Sequence, residues 1–145
     1  MGDAKRVIEL GIKLWNAHDR EGLMALVDER VEIEGPGGLR LAGAAGWGEF
    51  YDTWNEAFPD NSVDATAFGA GEEAAEEGKF SGTQTGTLRS PGGDVPPTGR
   101  RVDVPYSVIY RLENDKITSV HLYFDQVELL TQLGLMPEPA ATAAH

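Results

Sequence analysis

Hydrophobic and polar positions recur with two different periods along this chain, and the change comes near its middle. Ile8, Ile12 and Trp15 follow i, i+4, i+7 spacing with Val7 and Leu14 beside them, which predicts a helix with one apolar stripe. Asn16-Ala17-His18-Asp19 breaks that pattern, and Asp19 is placed to cap a short helix carrying Leu23, Leu26 and Val27. Val31 and Ile33, alternating with Glu32 and Glu34, predict a short strand stopped by Gly35-Pro36-Gly37-Gly38. Trp47, Phe50, Tyr51, Trp54 and Phe58 then recur at three- and four-residue steps, an amphipathic helix with an aromatic face that Pro59 ends.

Beyond Pro59 the period falls to two. Ser62 to Phe68 and Ala74 to Gly82 are candidate strands, the second weakened by its acidic, Ala-rich composition. Val102 to Leu112 is the clearest strand, with Val102, Val104, Tyr106, Val108 and Tyr110 alternating against Asp103, Pro105, Ser107, Ile109 and Arg111. Glu113-Asn114-Asp115-Lys116 is a turn into Ile117 to Phe124, so these two strands are expected to pair as an antiparallel hairpin. A last helix runs from Gln126 to Leu133, closed by Gly134. Helices first and strands afterwards predict an α+β fold, its helices packed on one face of a curved antiparallel sheet. Residues 1–136 are read as one domain, and the Pro/Ala-rich, aperiodic stretch 137–145 as a loose tail.

Composition narrows the function classes. The 145 residues suit one domain, and a 41% hydrophobic content supports a core. Twelve basic against twenty-four acidic residues leave a net charge of −12, which repels nucleic-acid phosphates and anionic membranes. No run approaches the roughly 18 apolar residues of a membrane span. The first residues, Met1 to Glu9, have no apolar signal core, so a cytoplasmic protein is expected. With no cysteine, disulfides, thiol nucleophiles and cysteine-ligated zinc are excluded.

Several strings are more specific than the order of elements. They are Ala57-Phe58-Pro59-Asp60, Phe80-Ser81-Gly82-Thr83-Gln84-Thr85-Gly86, Pro96-Pro97-Thr98-Gly99-Arg100 and Lys116-Ile117. His121-Leu122-Tyr123-Phe124-Asp125 and Leu130-Thr131-Gln132-Leu133-Gly134 follow. In that order and spacing the chain resembles the SnoaL-like polyketide cyclases and ester cyclases of the nuclear transport factor 2-like superfamily, over roughly residues 5 to 135. The resemblance implies a cone-shaped barrel of bent, mainly antiparallel (mixed) sheet around the N-terminal helices, enclosing an apolar pocket. It implies cofactor-independent cyclase or isomerase chemistry on a small, largely apolar or aromatic organic carbonyl compound, without metal or organic cofactor, in a homodimer. Two alternatives stay open within the same fold: a non-catalytic ligand-binding or scaffold protein, and an epoxide-opening enzyme.

The candidate site follows from the same comparison. Asp125 occupies the position of the family's acid/base at the end of the last strand, and a carboxyl group in an apolar pocket has its pKa moved towards working pH. Asp125 also precedes a helix with Glu128 three residues on, so a purely structural cap is the competing reading. His121 and Tyr123 share strand parity with Asp125, and this polar set is expected to line the cavity, leaving Val120, Leu122 and Phe124 as an apolar outer face for a dimer. Trp15, Trp47, Tyr51, Trp54 and Phe58 are expected to form the substrate wall, joined by Ser107 and by Gln84, which stands where the family often has His. Arg100, Arg101, Asn16 and His18 read more simply as solvated or turn-forming groups. Glu72, Glu73, Glu76 and Glu77 read as a solvated strand edge.

Overall fold

The computed structural model describes residues 3–136; the stretch 137–145 expected to be a loose tail lies outside the described residues. Helix α1 (Ala4–Asn16) starts at Asp3, whose side chain accepts from the Arg6 N–H, and α2 (Arg20–Met24) starts at Asp19, whose side chain accepts from Gly22. Strand β1 (Val27–Gly35) turns through a 3₁₀ segment, Pro36–Gly38, into β2 (Leu39–Ala42), a short strand that the sequence pattern does not reveal. The aromatic helix α3 (Gly43–Ala57) follows, then β3 (Ser62–Ala70), β4 (Glu73–Thr83), β5 (Arg101–Glu113), β6 (Lys116–Phe124) and α4 (Gln126–Gln132).

The six strands form one sheet in the order β2-β1-β6-β5-β4-β3. All neighbours are antiparallel except β1 and β6, which run parallel. Its end strands β2 and β3 do not meet, so the expected barrel is a curved, unclosed sheet whose concave side is filled by helices. Register shifts sit between Val27 and Glu32 of β1 and between Arg111 and Leu112 of β5, and such bulges increase bend and twist. Helix α1 packs on β3 and β4, and α3 on β1 and β2.

The core lies between this sheet and the helices. One buried cluster joins Ile8, Val31, Ile33, Trp47, Tyr51, Val108, Leu112 and Val120. A second joins Phe58, Leu88, Val102, Val104, Leu129 and Leu133 where α4 closes one end. Trp54 packs against both. Among the described residues no helix is long and apolar enough to cross a membrane.

The long connection from Thr83 to Arg101 is held from within by Gln84. This side chain is fully buried; its Oε1 accepts from the Thr98 N–H and hydroxyl, and its Nε2 lies 3.1–3.2 Å from the carbonyls of Gly86, Val95 and Pro96. Gln84 therefore ties both ends of the loop together and is not part of a substrate wall, a correction to the sequence reading. A titratable imidazole could not hold five such partners at once, since each ring nitrogen serves a single direction. Gln84→Leu is expected to lower stability by about 1–3 kcal/mol by stranding buried polar partners. Denaturant unfolding measures this, and a loss below about 0.5 kcal/mol would contradict it.

Candidate active site

Residues 102–112 alternate across β5, so Val104, Tyr106, Val108 and Tyr110 all face the helices. In the neighbouring strand Glu76 pairs directly with Val108, which places Tyr106 and Tyr110 at the two diagonal positions on the same face. Opposite Tyr106 stands Gly78 and opposite Tyr110 stands Ala74, so both phenol rings have room to lean towards Glu76. Gly78 is required for a second reason: a Cβ there would lie 2.6 Å from the Cβ of Ala65 on β3.

The outcome is a carboxyl group enclosed by two hydroxyls. Tyr106 Oη donates to Glu76 Oε2, and Tyr110 Oη donates to Glu76 Oε1 at 2.9 Å. Glu76 is only 8% exposed. Burial raises its pKa above the ordinary value, while the two phenol hydrogen bonds pull it partly back. Both tyrosines titrate well above the ordinary phenol range, first through burial and then through the charge of Glu76, so they remain proton donors.

Glu76, Tyr106 and Tyr110 open onto a cavity of about 120 Å³ between the sheet and helices α1 and α3. Its wall is otherwise apolar, built from Ile8, Ile12, Trp15, Leu23, Trp47, Phe50, Trp54, Phe80, Val120, Leu122 and Phe124 among others. Glu76 is the sole Asp or Glu lining it among the described residues, and no Lys, Arg or His lines it. Trp15 is fixed in the wall by its Nε1–H, which donates to Asn61 Oδ1 at 2.8 Å. Asn61, itself buried, donates in turn to Asn55 Oδ1 and to the Phe58 carbonyl. Among the described residues no group of three or more His, Cys, Asp or Glu side chains is arranged to hold a metal ion.

The residues singled out from sequence separate into groups here. Trp15, Trp47 and Trp54 line the cavity. Tyr51 lies behind them, stacked on Trp47 and edge-on to Trp15, and Phe58 belongs to the second core cluster, stacked on Trp54. Asn16 binds the backbone of Val63, and His18 Nε2 lies 3.0 Å from the Asn61 carbonyl oxygen, so both serve to join α1 to β3.

The polar set of β6 faces outward, opposite to the expectation that it lines the cavity and leaves an apolar outer face for a dimer. A bulge at Thr118 shifts the alternation: Arg111 pairs with Ser119 but Leu112 with Ile117. Ile117 and Val120 therefore share the inner face despite their odd separation, and Val120, Leu122 and Phe124 line the cavity while His121 and Tyr123 stand on the outer face. There His121 Nδ1 is 3.4 Å from Tyr123 Oη and its Nε2 is 3.8 Å from Glu34, and Tyr123 is 53% exposed. Ser107 pairs with Tyr123 on that same outer face. The apolar strand face expected to serve a homodimer is thus the cavity wall and offers no outer surface for one.

Asp125 is exposed and accepts from the backbone N–H groups of Val127 and Glu128, capping α4. The capping alternative accounts for its geometry, and its carboxyl does not enter the cavity. Asp125→Ala is expected to cost about 0.5–2 kcal/mol of stability and to leave ligand binding in the cavity unchanged. Denaturant unfolding alongside tryptophan-quenching titrations reads both effects; lost binding in a fully folded variant would reverse this assignment.

Glu76 was missed because it sits among Glu72, Glu73 and Glu77, all exposed, and β4 was read as an edge. Strand β4 is interior, flanked by β3 and β5. One signal was present: Glu76 shares parity with Phe80, an aromatic residue that a period-2 reading directs inward.

Comparison with known proteins bears on the fold and the family. Residues 5–133 match the model of the SnoaL-like polyketide cyclases. A proposed polyketide cyclase from Pseudomonas putida KT2440 superposes with a TM-score of 0.80 at 21% identity, over 91% of this chain and 98% of that one. IdmH, a proposed polyketide cyclase from Streptomyces antibioticus, gives 0.74 at 24% identity, over 92% and 99%. A protein of ketosteroid isomerase-like fold from Catenulispora acidiphila DSM 44928, solved in complex with trimethylamine, gives 0.74 at 18% identity, over 92% and 96%. No curated protein matches the sequence.

Proposed function

Given that the chain belongs to the SnoaL-like polyketide cyclase family, we propose that it is an enzyme that moves a proton on a small, largely apolar carbonyl compound, with Glu76 as the acid/base. The observation that carries this reading is the buried Glu76 carboxyl under two phenol hydroxyls, at the wall of an otherwise apolar cavity.

The chemistry needs only one titrating group. The Glu76 carboxylate takes a proton from the carbon next to a carbonyl, leaving neutral Glu76 and an enolate. In a cyclisation the enolate carbon forms a bond to a second carbonyl carbon of the same molecule, and Glu76 returns its proton to the resulting alkoxide. In an isomerisation the proton returns to a different carbon. Either way atoms and charge balance with no co-reactant, and Glu76 ends as it began. Burial moves its pKa up towards the working range, which makes a carboxyl group a better base than it is in water. As charge passes from Glu76 to the substrate oxygen, the Tyr106 and Tyr110 hydroxyls lose an ionised acceptor and become available to that oxygen. The aromatic walls exclude water from the enolate.

Proton abstraction is testable without the natural substrate. In D₂O, cyclohexanone and 1-indanone are to be followed by proton NMR with wild-type protein and with Glu76→Gln. Glu76-dependent loss of the α-proton signals supports the reading. Binding of these ketones with no exchange above the buffer rate would overturn it and leave a non-catalytic ligand-binding protein.

A further inference from the structure

The cavity around Glu76 is electrically one-sided. Its single carboxyl group has two neutral phenols as polar partners, and among the described residues no cationic side chain lines the wall. A carboxylate held away from water without a counter-charge is costly, and a cation brought beside it is attracted more strongly than at the surface. The remaining wall fits a particular kind of cation. Trp15, Trp47, Phe50, Trp54, Phe80 and Phe124 all line it, and aromatic faces attract positive charge.

Hydration decides which cations qualify. A metal ion or primary ammonium would exchange a tight water shell for one carboxylate and two hydroxyls. An alkylated ammonium carries its charge on a weakly hydrated, largely apolar surface that aromatic rings and Glu76 can cover together. An anion meets the Glu76 charge and is rejected.

We propose that the Glu76 cavity recognises a small tertiary or quaternary ammonium group, so that the substrate carries such a nitrogen centre within its apolar body. This rests on the cavity being the substrate site and narrows the substrate class.

Choline and 3,3-dimethylbutan-1-ol form a matched probe pair, identical in shape but differing in charge. All three tryptophans of the chain line the cavity, so intrinsic fluorescence reports binding, with calorimetry as a second readout. In 0.15 M salt choline is expected to bind wild type about tenfold tighter than the alcohol. In Glu76→Gln the preference should fall to near one with alcohol binding unchanged, which also shows that the variant is folded. Glu77→Gln removes the same charge from an exposed position one residue away and should keep the preference. If Glu76→Gln does not fold, Phe50→Leu supplies the second test, lowering choline affinity severalfold more than that of the alcohol and so reducing the preference. Equal affinities in wild type, or a preference that survives Glu76→Gln, would overturn the proposal. Glu76-dependent exchange on neutral ketones without cation preference would sink this inference alone. Cation preference without any α-proton exchange would sink the enzymatic reading instead.

Discussion

Glu76→Gln is expected to slow α-proton exchange by about 10²–10⁴-fold, the range over which a positioned acid/base contributes to rate. The amide is nearly the same shape and still accepts a hydrogen bond from a tyrosine, so the cavity should stay formed and ketone binding should persist. A loss of binding and rate together would mean that Glu76 shapes the pocket rather than moving the proton. A rate within threefold of wild type would remove Glu76 from the mechanism.

The same substitution has a signature in stability against pH. Glu76 titrates higher in the folded protein than its ordinary value of 4.5, because burial disfavours its charged form. Between those two pH values the native state holds a proton that the unfolded chain has lost, so stability falls as pH rises. The contribution is complete below about pH 4.5 and is lost as pH passes through the raised folded value. Subtracting the unfolding free energy of Glu76→Gln from that of wild type cancels most other titrations. The difference should therefore fall with rising pH over this window and level off above it. A flat difference would mean that Glu76 is not shielded from water.

The largest stability loss is expected at Phe58. This side chain is 0% exposed, stacks on Trp54 with ring centroids 6.3 Å apart and meets Phe80 edge-on at 5.3 Å. Phe58→Ala is expected to cost about 3–5 kcal/mol, from lost burial and from a cavity the surrounding strands cannot close. That is a large share of the stability of a typical domain. Denaturant unfolding measures it, and a cost below about 1.5 kcal/mol would place Phe58 on a ligand-accessible wall, as the sequence alone suggests.

Phe58 and Trp54 show how far local pattern reaches. Their four-residue spacing predicts one helix face; Trp54 lies on α3, whereas the helix ends at Ala57 and Phe58 follows as its non-helical cap residue. Whether a residue on that face fills space or bounds a ligand cavity depends on what packs opposite, and the sequence does not say. Trp54 meets both core clusters and lines the cavity, whereas Phe58, one turn later, is sealed beneath Phe80. Asp125 is the opposite case. Its sequence neighbourhood states its local role in full, since the N–H groups it accepts from are two and three residues away.

Helices, caps, the β5–β6 hairpin and the family were therefore legible in the chain, because each rests on contacts within a few residues or on a motif order. The concave face of β6 and the acid/base were not. Alternation divides a strand into two faces but does not say which one curves inward, and the bulge at Thr118 exchanges them part-way along. Glu76 shares its composition with exposed neighbours, and its partners Tyr106 and Tyr110 lie 30 and 34 residues further along. Only pairing β4 between β3 and β5 brings the three groups together, and only then does a glutamate in an acidic stretch become a buried acid.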